Sequence, residues 1–213
     1  MRGTVLALTM AMSFGVAGGQ LLPMTVDRAA PAAAQQPGES RIGDPADPES
    51  LDALVALVHE RLDTADAVAA AKWATVVRTG QPPMIDDPVR EAEVYDAMAA
   101  QGADLGLPEP WVRQVFEGQI EANKIVQRGL HARWRADPRA APATPPDLAA
   151  VRPVIDRVNG DILRQLAQHR SALTGPDGAQ RLVVATAPEL TSGRVDALHG
   201  TALLRGTGAL WIR

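Results

Sequence analysis

Apolar residues recur at helical spacing over most of the chain downstream of residue 48. The first predicted helix starts at Asp47-Pro48, a capping residue followed by a first-turn proline, and ends at Thr79 and Gly80. Its apolar face consists of leucines and valines at helical spacing: Leu51, Leu54, Val55, Val58 and Leu62.

Proline and glycine separate the later helical segments. Three more long helices are predicted, each starting at a proline or a capping aspartate: Asp87-Pro88 onwards, Pro108 to Trp134 or beyond, and Asp147 through Leu173. Pro153 is expected to distort the first turn of the fourth helix. A proline-rich connector spans 137–146, and two shorter helices are expected over 177–187 and 192–205. The pattern predicts an all-α bundle of about six helices, because no segment alternates convincingly with period two.

The N-terminal segment has the pattern of an export signal. Arg2 precedes a run without acidic residues that reaches Val16, and the small-residue stretch PAAAQQ follows. This apolar run is too short and too broken for a membrane span. We expect a secreted or periplasmic protein, with cleavage near Ala34; a buried N-terminal helix is the alternative. The predicted division is an export signal peptide at 1–34, a flexible lead-in at 35–48 and one all-helical domain at 49–213.

Composition narrows the classes of function. The chain has 213 residues and a net charge of -4, which argues against a general nucleic-acid binder. It has no cysteine, so an exported domain must rely on its core for stability and lacks a cysteine nucleophile. The four histidines do not have metal-site spacing, and the sequence contains neither G-x-S-x-G nor a phosphate loop.

Two cations lie on the apolar side of the first predicted helix. Arg61 and Lys72 are three turns apart, which separates them by about 16 Å along the helix axis. Cations that point inward without an inward acidic partner are costly to bury. A bound anion would compensate for both, whereas the bland alternative is that both side chains extend to water at the edge of the apolar arc.

The third predicted helix carries amide side chains among its core positions. Gln119, Asn123 and Gln127 form an i, i+4, i+8 stripe. Each buried amide without a partner costs about 1 to 3 kcal/mol, so the stripe needs an explanation. Either the amides bond across helices and fix the helix register, or they face a ligand.

Charged residues also cluster where the second and fourth helices begin. Asp87, Arg90 and Glu91 share one face of the second helix, and Arg152 lies at the rim of the apolar arc of the fourth. The alternative is a solvated helix start, in which the acids complement the helix dipole.

Taken in order, these residues resemble the active-site pattern of the all-helical chorismate mutases, the AroQ class. The resemblance is based on the following residues: Arg61, Lys72, the Asp87-x-x-Arg90-Glu91 cluster, the Gln119-Ile120-x-x-Asn123-x-x-x-Gln127 stripe and Arg152. The export signal and the segment PPDLAAVRPVID make the chain most similar to the secreted γ subclass. The resemblance covers residues 49–175 and implies the intramolecular [3,3] rearrangement of chorismate to prephenate, with no cofactor and no metal.

The resemblance also implies roles for these side chains. Lys72 and Gln127 would donate hydrogen bonds to the ether oxygen, while Arg61 and Arg152 would hold the two carboxylates of chorismate. The resemblance implies roles for four more residues. Arg90 would support the site, Glu91 would accept a hydrogen bond from the ring hydroxyl with Asp87 nearby, and Asn123 would either bond a carboxylate or help to orient the ligand.

The expected partner is therefore a small-molecule substrate, with neither nucleic acid nor membrane bound by the mature form. Because Arg152 belongs to the same chain, one subunit would complete the pocket, and the protein would be a monomer or a homodimer. The competing hypothesis is a secreted helical binding protein that keeps the fold without turnover.

Overall fold

The structure, a computed structural model, describes residues 50–211. The described residues form seven α-helices and one short 3-10 helix. Their bounds are α1 (Asp52–Thr79), α2 (Pro88–Asp104), α3 (Glu109–Ala136), the 3-10 helix (Pro138–Ala140), α4 (Leu148–Gln168), α5 (Arg170–Thr174), α6 (Gly178–Thr191) and α7 (Ala197–Gly208). No strand occurs between residues 50 and 211, so the prediction of an all-α fold is confirmed.

Short-range signals in the sequence set the helix ends. The side chain of Asp87 accepts a hydrogen bond from the backbone N–H of Arg90 at 3.1 Å, and Pro88 is the first residue of α2. Asp147 caps α4 in the same way through the N–H of Ala149 at 2.9 Å. Gly80 ends α1 in the left-handed conformation, with φ of 70°. The predicted starts of the second and fourth helices are thus confirmed.

Other boundaries differ from the prediction. The first helix begins at Asp52 and not at Asp47-Pro48, because Ser50 and Leu51 are not helical. The predicted fourth helix divides at His169 into α4 and α5, which raises the number of helices above six. Pro153 lies inside α4, which continues through it from Leu148 to Gln168, so the proline does not interrupt the helix. The predicted export signal at 1–34 and lead-in at 35–48 lie outside the described residues.

The core forms around α1 and α3, which pack against each other. In addition, α4 packs against α1, α2 packs against α3, and α7 packs against both α1 and α3. The predicted apolar face of α1 is fully buried at Leu54 and Val55, as are Val115 and Phe116 of α3. Within residues 50–211 no helix has both the length and the hydropathy needed to cross a membrane.

The C-terminal segment, in which the sequence contains no recognisable motif, is tied to α3. The indole N–H of Trp111 donates to the carbonyl oxygen of Leu210 at 2.9 Å, and the side-chain amide of Gln114 donates to the carbonyl of Ala209, also at 2.9 Å. Gly118 lies where Ala209 approaches, so closely that a β-carbon on Gly118 would overlap with that of Ala209. The segment therefore stabilises α3 directly.

We expect Gly118→Ala to lower the free energy of unfolding by about 1 to 3 kcal/mol, because the added methyl group forces the C-terminal segment away from α3. Urea denaturation measures the change. Gly208→Ala is the matched control, since open space surrounds that position, and it should change the free energy by no more than about 0.5 kcal/mol. Equal stability of the two variants would contradict this packing.

Candidate active site

A cavity of about 690 Å³ lies between α1, α2, α3 and α4 and is bordered by residues 81–85 of the loop that joins α1 to α2. Every site residue predicted from the sequence lines this one cavity: Arg61, Lys72, Asp87, Arg90, Glu91, Asn123, Gln127 and Arg152. Much of the remaining wall is apolar and includes Val68, Ile85, Val94, Ile120 and Ile155. An apolar wall with convergent charged and amide groups is typical of a small-molecule site.

Arg61 is the most deeply buried charge in the cavity wall, with 5% of its surface exposed. Its Nε donates to Oδ1 of Asn159 at 2.8 Å, and its Nη1 donates to the carbonyl oxygen of Gln119 at 3.0 Å. Both partners are neutral, and no carboxylate among residues 50–211 forms an ion pair with Arg61. Burial lowers the pKa of Arg61 to about 10, so the guanidinium remains charged at neutral pH. No described residue therefore places a negative charge in contact with this cation.

Lys72 lies three turns further along α1 and is half-buried. Its ammonium has no hydrogen bond or ion pair with any residue that the structure describes. Burial lowers the pKa of Lys72 below the usual value for lysine, and the negative charges of Asp87, Asp86 and Glu91 oppose this shift. The side chain is thus a cation with free donors at the cavity.

Gln127 supplies a second polar group without a protein partner. It is 5% exposed, and its Oε1 is buried with no hydrogen bond to any described residue. Such an atom costs free energy unless a ligand or water satisfies it. Asn123, one turn earlier, donates from Nδ2 to the carbonyl oxygen of Gln119 at 3.2 Å. Its Oδ1 accepts no hydrogen bond from a described residue.

Gln119 is the member of the amide stripe that does not line the cavity. It is 2% exposed, and its Nε2 donates to the carbonyl oxygen of Gly206 in α7 at 3.0 Å. The stripe therefore combines both alternatives: Gln119 fixes the contact between helices, while Asn123 and Gln127 face the cavity. Helical periodicity in the sequence does not distinguish an amide that bonds another helix from one that faces the cavity, because all three residues share one face of α3.

The outer part of the cavity carries the remaining predicted arginines. Arg152 is exposed at the cavity and has no ion pair with a described residue, so it is available to a ligand. Arg90 is also exposed, and its Nη1 pairs with Oε2 of Glu93 at 2.7 Å. The guanidinium of Arg90 is therefore engaged on the surface, which agrees with a supporting position better than with a first contact to a ligand.

Two buried residues of the site do not appear in the sequence prediction. Asn159 of α4 is 3% exposed and holds Arg61, as described above. In the sequence it lies at helical spacing between Ile155 and Ile162, on an otherwise apolar face. A polar residue on that face is the signal from which Asn159 could have been predicted. Lys124 of α3 is 6% exposed and lines the cavity beside Asn123. Its importance depends on contacts with α2 and the preceding loop, for which the sequence carries no local signal.

Comparison with known proteins identifies the family of the chain. Residues 52–128 match the family described as chorismate mutase type II. The secreted chorismate mutase of Mycobacterium tuberculosis is 30% identical over 200 residues, which cover 94% of this chain and 90% of that protein. The secreted chorismate mutase of Mycolicibacterium smegmatis is 36% identical over 130 residues, or 61% of this chain and 68% of the relative.

A solved structure gives the same answer for the fold. The crystal structure of chorismate mutase from Burkholderia phymatum superposes with a TM-score of 0.69 at 32% sequence identity, and the match covers 78% of this chain and 98% of that one. Fold, sequence and cavity agree, and the chain belongs to the secreted chorismate mutases, the enzymes that rearrange chorismate to prephenate.

Proposed function

We propose that the cavity binds chorismate in the compact diaxial conformer, with its two carboxylates held by Arg61 and Arg152. The observation that carries this proposal is the buried guanidinium of Arg61, which is held by neutral oxygens and has no acidic partner within the described chain. A carboxylate of the substrate would supply the missing negative charge and form charge-assisted hydrogen bonds. Holding the folded conformer brings the reacting carbons together, which removes much of the entropic barrier.

In the same proposal Lys72 and Gln127 donate hydrogen bonds to the ether oxygen, on which negative charge develops as the carbon–oxygen bond breaks. Both side chains line the cavity, and neither the Lys72 ammonium nor the Nε2 of Gln127 donates a hydrogen bond to a described residue, so both donors are available for this role. Donors that are already in position need no reorganisation in the transition state, and one such donor lowers the barrier by about 3 kcal/mol. Lys72 would also contact a carboxylate of the substrate.

The remaining predicted residues complete the pocket. We propose that Glu91 accepts a hydrogen bond from the ring hydroxyl and that Asp87 lies beside it. Asn123 would orient a carboxylate through its amide. Arg90 would support the site from the surface, which is consistent with its ion pair to Glu93.

We further propose that one chain forms the complete site, since all of these residues line a cavity within a single chain. Dimerisation is then optional, and either a monomer or a homodimer would be active.

We propose that residues 1–34 direct export and are removed, and that residues 49–213 form the catalytic domain. The secreted relatives support this division.

Lys72→Ala should lower kcat by about 10²- to 10³-fold or more, because the developing charge on the ether oxygen loses a cationic donor. The decrease of chorismate absorbance in the ultraviolet measures turnover, and circular dichroism checks the fold. Arg78→Ala is the control, since Arg78 is an exposed cation on the same helix that does not line the cavity. Unchanged turnover in the Lys72 variant would remove the proposed mechanism.

Asn159→Asp should raise the KM for chorismate by about 10- to 100-fold, because a carboxylate at this position would pair with Arg61 and compete with the substrate. The thermal midpoint should not fall, since the new ion pair keeps Arg61 in place. Steady-state kinetics and a melting curve measure the two quantities. Gln168→Glu adds the same charge at an exposed position of α4 outside the cavity and should leave KM unchanged. An unaltered KM in the Asn159→Asp variant would show that Arg61 does not bind a carboxylate.

The pH profile of kcat/KM should be nearly flat from about pH 5 to about pH 8, since none of the proposed donors titrates there. Activity should fall above that range as Lys72, whose pKa lies below that of a free lysine, loses its proton. Gln127→Glu should change the profile to one that rises towards acid pH, because a carboxyl group must be protonated to donate. A steep loss in the parent enzyme between about pH 5 and about pH 7.5 would contradict the assignment of Gln127.

A further inference from the structure

Lys124 is a buried cation at the cavity to which the proposed mechanism gives no role. Its side chain is 8% exposed, and its ammonium contacts three carboxylates. The distances from Nζ are 2.7 Å to Glu91, 2.8 Å to Glu121 and 3.2 Å to Asp86. Burial disfavours the charged ammonium, but the hydrogen bonds to Glu121, Glu91 and Asp86 outweigh it and raise the pKa of Lys124. Because it already contacts three carboxylates of the protein, the ammonium of Lys124, unlike that of Lys72, is not available to a ligand.

The contact with Glu91 links Lys124 to the proposed chemistry. Both Lys124 Nζ, at 2.7 Å, and the backbone N–H of Asp87, at 3.1 Å, contact the same oxygen, Oε1 of Glu91. The other oxygen, Oε2, has no partner among the described residues. The carboxylate is therefore fixed through one oxygen, and the second remains available as an acceptor at the cavity.

We propose that Lys124 is a positioning residue for the rearrangement: it holds Glu91 through Oε1 so that Oε2 accepts the hydrogen bond from the ring hydroxyl of chorismate. This inference rests on the proposed role of Glu91. The backbone N–H of Asp87 alone would leave the carboxylate free to rotate, whereas two donors on one oxygen restrict it.

Lys124 also compensates for acidic charge next to a site for a dianion. Without its ammonium, Asp86 and Glu121 would keep their contacts with Arg128, whereas Glu91 would have no ion pair with a described residue. Arg128 contacts Asp86 at 2.6 Å and Glu121 at 3.9 Å but does not contact Glu91, and its side chain is 46% exposed. A comparison of the two cations therefore separates a role through Glu91 from one through Asp86 and the loop.

The test compares five proteins with the parent enzyme: Lys124→Met, Glu91→Gln, the double variant Lys124→Met/Glu91→Gln, Lys124→Arg and Arg128→Met. Lys124→Met should lower kcat/KM by about 10- to 100-fold. If Lys124 acts through Glu91, the double variant should lie within about twofold of Glu91→Gln, because the two losses are not additive. Lys124→Arg should lose less than Lys124→Met, and Arg128→Met should stay within about threefold of the parent.

Several results would overturn the inference. Additive losses in the double variant would mean that Lys124 acts independently of Glu91, and an equal loss in Arg128→Met would assign the effect to Asp86. Loss of activity in Glu91→Gln with none in Lys124→Met would reject this inference alone. Because glutamine keeps a carbonyl acceptor, a further variant, Glu91→Ala, removes the acceptor altogether, and full activity in that variant would reject the proposed role of Glu91 as well. If Lys124→Met does not fold, Lys124→Gln, which keeps a neutral donor, replaces it under the same criteria.

Discussion

The site depends on a buried guanidinium that has no acidic partner between residues 50 and 211. Arg61 is held by the side-chain oxygen of Asn159 and the backbone carbonyl of Gln119, both of which orient it without neutralising it. A carboxylate in the same place would have lowered the cost of burial and removed the reason to bind an anion. In the proposed binding mode, a carboxylate of the substrate would compensate for the free energy that the fold loses by burying this charge.

The acidic residues around the cavity follow the opposite arrangement. Lys124 and Arg128 pair with Asp86, Glu91 and Glu121, so the negative charge beside the cavity is largely compensated within the protein. The chain has two lysines, and both line the cavity. Lys124 forms ion pairs within the protein, whereas Lys72 forms none with a described residue. Three cations of the cavity wall, Arg61, Lys72 and Arg152, form no ion pair with a described residue, which suits a doubly negative substrate.

Gln119 connects the site to the C-terminal segment. Its carbonyl oxygen accepts from Arg61 and Asn123, and its side chain donates to Gly206 of α7. An added β-carbon on Gly206 would lie 3.2 Å from Val58 and 3.4 Å from the amide of Gln119, so α7 packs closely against α1 and α3 at this glycine. The last helix, which has no sequence motif, thus helps to fix the backbone against which Arg61 is held.

The sequence by itself determined the helical class, the capped starts of α2 and α4 and eight of the residues that line the cavity, because these depend on helical periodicity and on short-range signals. It did not determine that Gln119 turns away from the cavity, that Asn159 holds Arg61, or that Lys124 is paired while Lys72 is free. Each of these depends on which residue of another helix lies opposite, and contacts between residues far apart in the chain are fixed only when the helices pack.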